Sequence, residues 1–215
     1  MRVRARIFGG FLAVAVCLLS AQGTPVRAEE TIGEQIRDMG PMDRVGYLSG
    51  LIKEGKVDPL IHFHLGNAYY ALEQPDSAIA HFHRATTLDP GYSKAWVNLG
   101  IVYDGRGQHG AARQAYNSAI DANPKDVLAY CHLGHNRFSQ GDVPEAIKLY
   151  MTALEIDPNS AQAHYNLGLA FAESRVFAEA ILEWRKVIEL DPDGDLGRVA
   201  GENLELIETY LKLEQ

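Results

Sequence analysis

From residue 59 onward, apolar residues recur in two alternating helical sets. Trp96, Leu99 and Tyr103 stand three and four apart, as do Ala112, Tyr116 and Ala119, and a polar stretch with Gly107-Gln108 separates them. Residues three and four apart share one helix face, so each set predicts an amphipathic helix and the polar stretch a turn. Gly141-Asp142 marks the same turn further on. Pro90, Pro124, Pro158 and Pro192 follow at intervals of 34, each behind an Asp or Asn. A proline lacks an N–H and pushes the residue before it out of helical geometry, so each one predicts a helix end.

Other residues keep the same interval. Leu-Gly pairs stand at Leu65-Gly66, Leu99-Gly100, Leu133-Gly134 and Leu167-Gly168. Ala78, Ala112, Ala146 and Ala180 are each followed four residues on by a ring: Phe82, Tyr116, Tyr150 and Trp184. Ala85, Ala119 and Ala153 form a second small column, which Val187 leaves. A glycine inside a helix costs about 1 kcal/mol relative to alanine. Its compensation here is close approach, because a missing Cβ lets the partner helix sit tightly. The expected fold is a ladder of antiparallel helix pairs.

This ruler resembles the tetratricopeptide repeat, with its W-x₂-L-G-x₂-Y, A-x₃-F and closing P over 34 residues. Across eight columns and four repeats, 28 of 32 places conform if aromatics interchange, and a match of that extent at one period does not arise from a lone Leu-Gly. His62, His164, Arg137 and Val187 are the departures. The repeats are expected at 59–92, 93–126, 127–160 and 161–194. Residues 29–58 read as a degenerate leading helix pair, with Leu48, Leu51 and Ile52 near the aromatic and small columns. Residues 195–215 read as a capping helix, with Leu196, Val199, Leu204, Ile207 and Leu211 on one side and acids opposite. The resemblance implies an all-α, right-handed superhelical solenoid whose first helices line a concave groove for another protein or peptide segment.

Carried over by alignment, the groove-facing places of the family fall on Leu60, Phe63, His64, Asn67 and Tyr70, and on Lys94, Val97, Asn98, Ile101 and Asp104. In the later repeats they fall on Leu128, Cys131, His132, His135 and Phe138, and on Gln162, Tyr165, Asn166, Leu169 and Glu173. The resemblance gives Asn67, Asn98 and Asn166 the role of holding a ligand's main chain, since an amide both donates and accepts. Phe63, Tyr70, Phe138 and Tyr165 would take apolar anchors. A family subset grips C-terminal carboxylates with several groove cations. Lys94 is the groove cation found here, while Phe63, Leu128 and His132 occupy places where others are expected, so a ligand of that kind is not indicated.

The N-terminus carries a separate signal. Arg2, Arg4 and Arg6 precede an apolar run from about Phe11 to Leu19 and a Val26-Arg27-Ala28 ending, the pattern of a secretory signal peptide over residues 1–28. The run is short for a membrane span, which needs about 20 residues. Val16 before Cys17 does not suit a lipid-anchor signal. The expected product is exported, with the periplasm as its compartment, and keeps no stable membrane insertion after cleavage. Without residues 1–28 the chain has 16 basic and 28 acidic residues, a formal charge of −12, which argues against nucleic acid as a partner. Cys131 is then the single cysteine, so no internal disulfide forms.

Residues 130–135, Tyr-Cys-His-Leu-Gly-His, offer a second chemistry. Cys131 with His135, or His132 with His135, could chelate from one helix face, which would suit a metal-handling or redox-accessory protein. A structural zinc site usually takes four ligands, and no spacing supplies the rest. There is no C-x-x-C-H for covalent haem, nucleophile elbow, phosphate loop or H-E-x-x-H, so no cofactor and no enzymatic activity are expected. Among the remaining histidines, His62 and His164 replace packing rings, His81 and His83 are expected to point outward, and His109 lies in a turn. The main expectation is an interaction scaffold.

Overall fold

The computed structural model describes residues 32–213, which are helical with short turns. The proposed signal peptide, and Cys17 within it, lie outside the described residues. After a helical turn at 32–36, the chain forms α1 (Pro41–Lys53), α2 (Pro59–Ala71), α3 (Pro75–Leu88), α4 (Ser93–Gly105) and α5 (His109–Ala122). It continues through α6 (Val127–Ser139), α7 (Val143–Ile156), α8 (Ala161–Glu173), α9 (Phe177–Leu190) and α10 (Asp195–Leu213). This is the all-α solenoid of helix pairs that the 34-residue ruler implies.

Local chemistry sets the helix ends. Asp58, Asp126 and Ser160 cap α2, α6 and α8, accepting from the amides of Leu60, Ala129 and Ala163 at 2.8, 3.2 and 3.3 Å. A side-chain oxygen there satisfies an amide that the helix cannot. At the other end, the residue before each of the first three regularly spaced prolines leaves the helix: Asp89, Asn123 and Asp157 adopt φ between −143° and −132° with ψ of 94° to 97°. Their side chains accept from the amides of Gly91, Lys125 and Asn159 at 3.0–3.1 Å, closing the turn that the proline begins. Within each repeat the two helices are joined through a left-handed residue: Glu73 (φ 56°), Gly107 (φ 71°), Gly141 (φ 81°) and Arg175 (φ 60°). Two of these four are glycine, which adopts that conformation without steric cost.

The Leu-Gly column sets the distance between partner helices. A Cβ on Gly66, Gly100, Gly134 or Gly168 would lie 2.6, 2.3, 2.5 or 2.4 Å from the ring of Phe82, Tyr116, Tyr150 or Trp184. Each ring is at most 3% exposed, so it rests directly on the glycine backbone. The first helices of successive repeats also touch one another, from α2 to α4, α6, α8 and α10, and so form the inner layer of the solenoid. At one end, Leu48 and Leu51 of α1 and Ile36 cover Ile61 and Leu65. At the other, Ala200 and Ile207 of α10 cover Trp184 and Val187. The outer side of α10 is less polar than expected, because Leu206 and Leu213 are 70% and 82% exposed.

Candidate functional site

On the inner layer, two first helices bring their amides together. Asn98 of α4 donates from Nδ2 to Asn67 Oδ1 of α2 at 2.7 Å. A cavity of about 90 Å³ opens beside this pair, lined by Asn67, Tyr70, Phe82, Asn98, Ile101 and Val102. Four of these, Asn67, Tyr70, Asn98 and Ile101, are groove residues expected from the sequence. Phe82 and Val102, both buried, add lining that alignment did not supply. Tyr70 is 53% exposed and also borders a wider depression towards Glu73, Pro75 and Arg106 at the turn edge. Helix α2 carries no Asp, Glu, Lys or Arg, so the charges near this part of the groove come from α4 and the turn edge.

The other expected groove residues divide. Lys94, Leu128 and His135 are exposed, while His64, Ile101, Phe138 and Leu169 are partly covered. His132 stacks on Tyr116, with ring centroids 5.8 Å apart. Burial, followed by the neighbouring His135, holds the His132 imidazole below its ordinary pKa. Asn166 is buried and accepts from Gln162 Nε2 at 3.0 Å, within its own helix rather than across repeats.

One column of the carry-over needs correction. Val97 and Cys131 are buried and fill joints between repeats rather than lining the groove, while Phe63 and Tyr165, half-buried, turn much of their rings into the same joints. The Phe63 ring meets Tyr92 at 4.9 Å and Phe82 at 6.1 Å. Val97 is buried against Ala119 and Ala129. Cys131 is 2% exposed and sits against Ala153 and Ala163. Tyr165 packs beneath α10, where its hydroxyl accepts from Asn203 at 3.4 Å. The signal was present in the sequence: small residues at Ala119, Ala129, Ala153 and Ala163 mark holes that this column fills.

The Cys131 position also removes the main ligand of the metal reading. Burial, helped by Asp126, pushes its thiol up to about 12, so the thiolate that metals and oxidants require is disfavoured. Among the described residues, no group of three or more His, Cys, Asp or Glu is placed to hold a metal ion. Its neighbours in sequence face elsewhere, since His132 lies on Tyr116 and His135 is exposed.

Asp104, expected in the groove, is instead the centre of a joint between the second and third repeats. Its Oδ2 accepts from the Tyr116 hydroxyl at 3.0 Å and its Oδ1 from Asn136 Nδ2 at 2.7 Å, with His109 Nδ1 3.0 Å away. Asn136 is fully buried and donates as well to the His109 carbonyl at 3.1 Å. Burial and the adjacent carboxylate push the Tyr116 phenol far above its ordinary range, so it stays a donor. His81 also differs from expectation: it turns inward, stacked between His62 and Tyr69 at 5.3 Å from each, while His83 is exposed.

Comparisons with known proteins agree with this architecture. Family models described as "Tetratricopeptide repeat" and "TPR repeat" match residues 63–127 and 134–174. A TPR repeat-containing protein of Pseudomonas aeruginosa is 30% identical over 73 residues, which are 34% of this chain and 70% of that protein. A crystal structure of MamA is 26% identical with a TM-score of 0.65, covering 74% of this chain and 94% of that one. YrrB, described as a TPR protein with an unusual peptide-binding site, has a TM-score of 0.57 at 20% identity over 81% of this chain and 99% of its own. The likeness to YrrB speaks to the fold alone.

Proposed function

The chain belongs to the tetratricopeptide repeat family, and we propose that it is an exported scaffold that binds a segment of another protein in the groove between its first and second repeats. The reading rests on the Asn67–Asn98 pair and the cavity beside it. Their mutual bond uses one hydrogen of Asn98 and the oxygen of Asn67. It leaves Asn67 its NH₂ group and Asn98 its carbonyl oxygen, the complement of a peptide's C=O and N–H. The 90 Å³ cavity, about three waters in volume, suits one small aliphatic side chain from the same segment. Tyr70 stands at its rim as an exposed aromatic, the residue class that dominates interface energetics.

Export is supported by the basic head, short apolar run and Val-x-Ala ending of residues 1–28, and an envelope complex is the partner proposed for that compartment. No described helix is long and apolar enough to cross a membrane. Two experiments test the proposal separately. Crosslinked capture from native envelopes should lose its partners when Asn98→Ala and Tyr70→Ala are combined; identical captures from both forms would overturn the groove assignment. Fractionation with N-terminal sequencing should find a chain beginning at Glu29 outside the cytoplasm. A cytoplasmic chain that retains residues 1–28 would overturn export and leave the groove untouched.

A further inference from the structure

Two contacts at equivalent places in the first and fourth repeats have opposite chemistry. His62 and His164 occupy the same column, as do His81 and Glu183, each pair being 19 residues apart. In the fourth repeat, His164 Nδ1 lies 2.6 Å from Glu183 Oε2 and its Nε2 lies 3.0 Å from the Pro158 carbonyl oxygen. Both partners are acceptors, so each of these contacts suits a proton on the ring nitrogen that makes it. Trp96 makes the same reach in the second repeat, donating from Nε1 to the Pro90 carbonyl at 3.0 Å. His164 thus takes the place and the reach of a tryptophan, with the Glu183 carboxylate as its second partner.

In the first repeat the carboxylate is replaced by a second imidazole. His62 Nδ1 and His81 Nδ1 are 3.0 Å apart in stacked rings, and Tyr69 covers the other face of His81. One proton between the two nitrogens makes a hydrogen bond. A proton on each sets N–H against N–H and places two like charges in a half-buried site. Around the pair, Arg84 of α3 opposes protonation of His62, and Asp58 at the start of α2 favours it. From the helices on either side, α1 brings Tyr47 and α4 brings Tyr103 into the apolar clusters that contain Tyr69.

We propose that the His62–His81 contact makes the first repeat acid-labile: proton uptake by both rings opens the α2–α3 hairpin, while the fourth repeat, held by His164–Glu183, stays closed. The consequence reaches the groove, because Asn67 and Tyr70 stand on α2, so opening the hairpin dismantles the cavity they line.

Burial and the neighbouring His81 hold His62 down at about 4 against an ordinary 6.5. Its contribution to stability is therefore complete above pH 6.5 and is lost as the pH falls from there towards 4, since the opened form binds the additional proton. For the His62 proton alone, each pH unit inside that window raises the opening constant at most about tenfold, so this ring gives up to roughly 30-fold more opening at pH 5.0 than at pH 7.5, less where solvent screens the pair, and uptake by His81 adds to it. Hydrogen exchange on the chain lacking residues 1–28, corrected for intrinsic rates, reads this directly. Residues 59–88 should lose at least about 5-fold in protection at pH 5.0, while residues 161–190 hold theirs. His81→Glu, which copies Glu183, should keep the first repeat protected in acid.

Equal acid responses from the two repeats, or an undiminished acid loss in His81→Glu, would overturn the proposal. Should His81→Glu fail to fold at pH 7.5, proton NMR titration of the wild-type rings decides. Titration of His62 well below the ordinary histidine range sustains the mechanism, and titration of both rings at the ordinary value ends it.

Discussion

Adding one methyl group to Gly100 tests the packing that the 34-residue ruler encodes. The new Cβ would lie 2.3, 2.7 and 2.8 Å from three atoms of the Tyr116 ring. Carbon contacts settle at about 3.5–4.0 Å, so ring or helix must move by roughly 1 Å or more. Neither has room: Tyr116 is 1% exposed and its hydroxyl donates to Asp104 at 3.0 Å. Overpacking of this kind costs about 1–3 kcal/mol, and displacing a hydrogen bond to a carboxylate about 1.5–3 kcal/mol. Helix propensity returns about 1 kcal/mol when glycine becomes alanine. Gly100→Ala should therefore destabilise by ~1.5–5 kcal/mol. Gly66→Ala meets the Phe82 ring, which carries no such bond, and should cost less. Gly46→Ala, in α1 with nothing within 4 Å, should gain up to ~1 kcal/mol. Urea titration followed by circular dichroism measures all three, with midpoints compared because repeat arrays can unfold in parts. A Gly100→Ala protein as stable as wild type, or shifted in the same direction as Gly46→Ala, would refute the reasoning.

Other expectations are smaller in scope. Glu73→Gly and Arg175→Gly place glycine at the two left-handed turn positions that lack it, and each should raise stability by ~0.5–1 kcal/mol in the same titration. Cys131 should resist a maleimide or aromatic disulfide reagent at pH 7.5 in the folded chain and react once urea unfolds it; rapid labelling of folded protein would contradict its burial and raised thiol pKa. Asn136→Ala removes the donor shared by Asp104 and the His109 carbonyl. It should cost ~2 kcal/mol and increase hydrogen exchange at the start of α5, whereas a neutral effect would show that the joint does not depend on it.

How much was legible depends on whether a residue answers to its own repeat or to a neighbour. The glycine and ring columns answer to their own repeat: Gly100 meets Tyr116 across one turn, and every repeat poses the same problem, so periodicity reports it. The amide pair was nearly as accessible, because Asn67 and Asn98 stand 31 residues apart on adjacent first helices and the resemblance had given both the same task. Cys131 was misread because alignment transfers a column's usual role without its local volume. Ala153 and Ala163 leave a gap that a thiol closes, and such a gap is visible only when two helices are considered together. Asp104 was harder still. Its partner Asn136 is 32 residues away, off the 34-residue interval, in a column where the other repeats place Ala68, Val102 and Ala170. A polar residue at a buried place requires a partner, so Asn136 was the sequence's own warning that one joint differs from the rest. The same logic applies to His62 and His164, whose departures from the aromatic column looked alike. Their chemistry separates only at the residue 19 positions on, where His62 meets a second imidazole, His81, and His164 meets a carboxylate, Glu183.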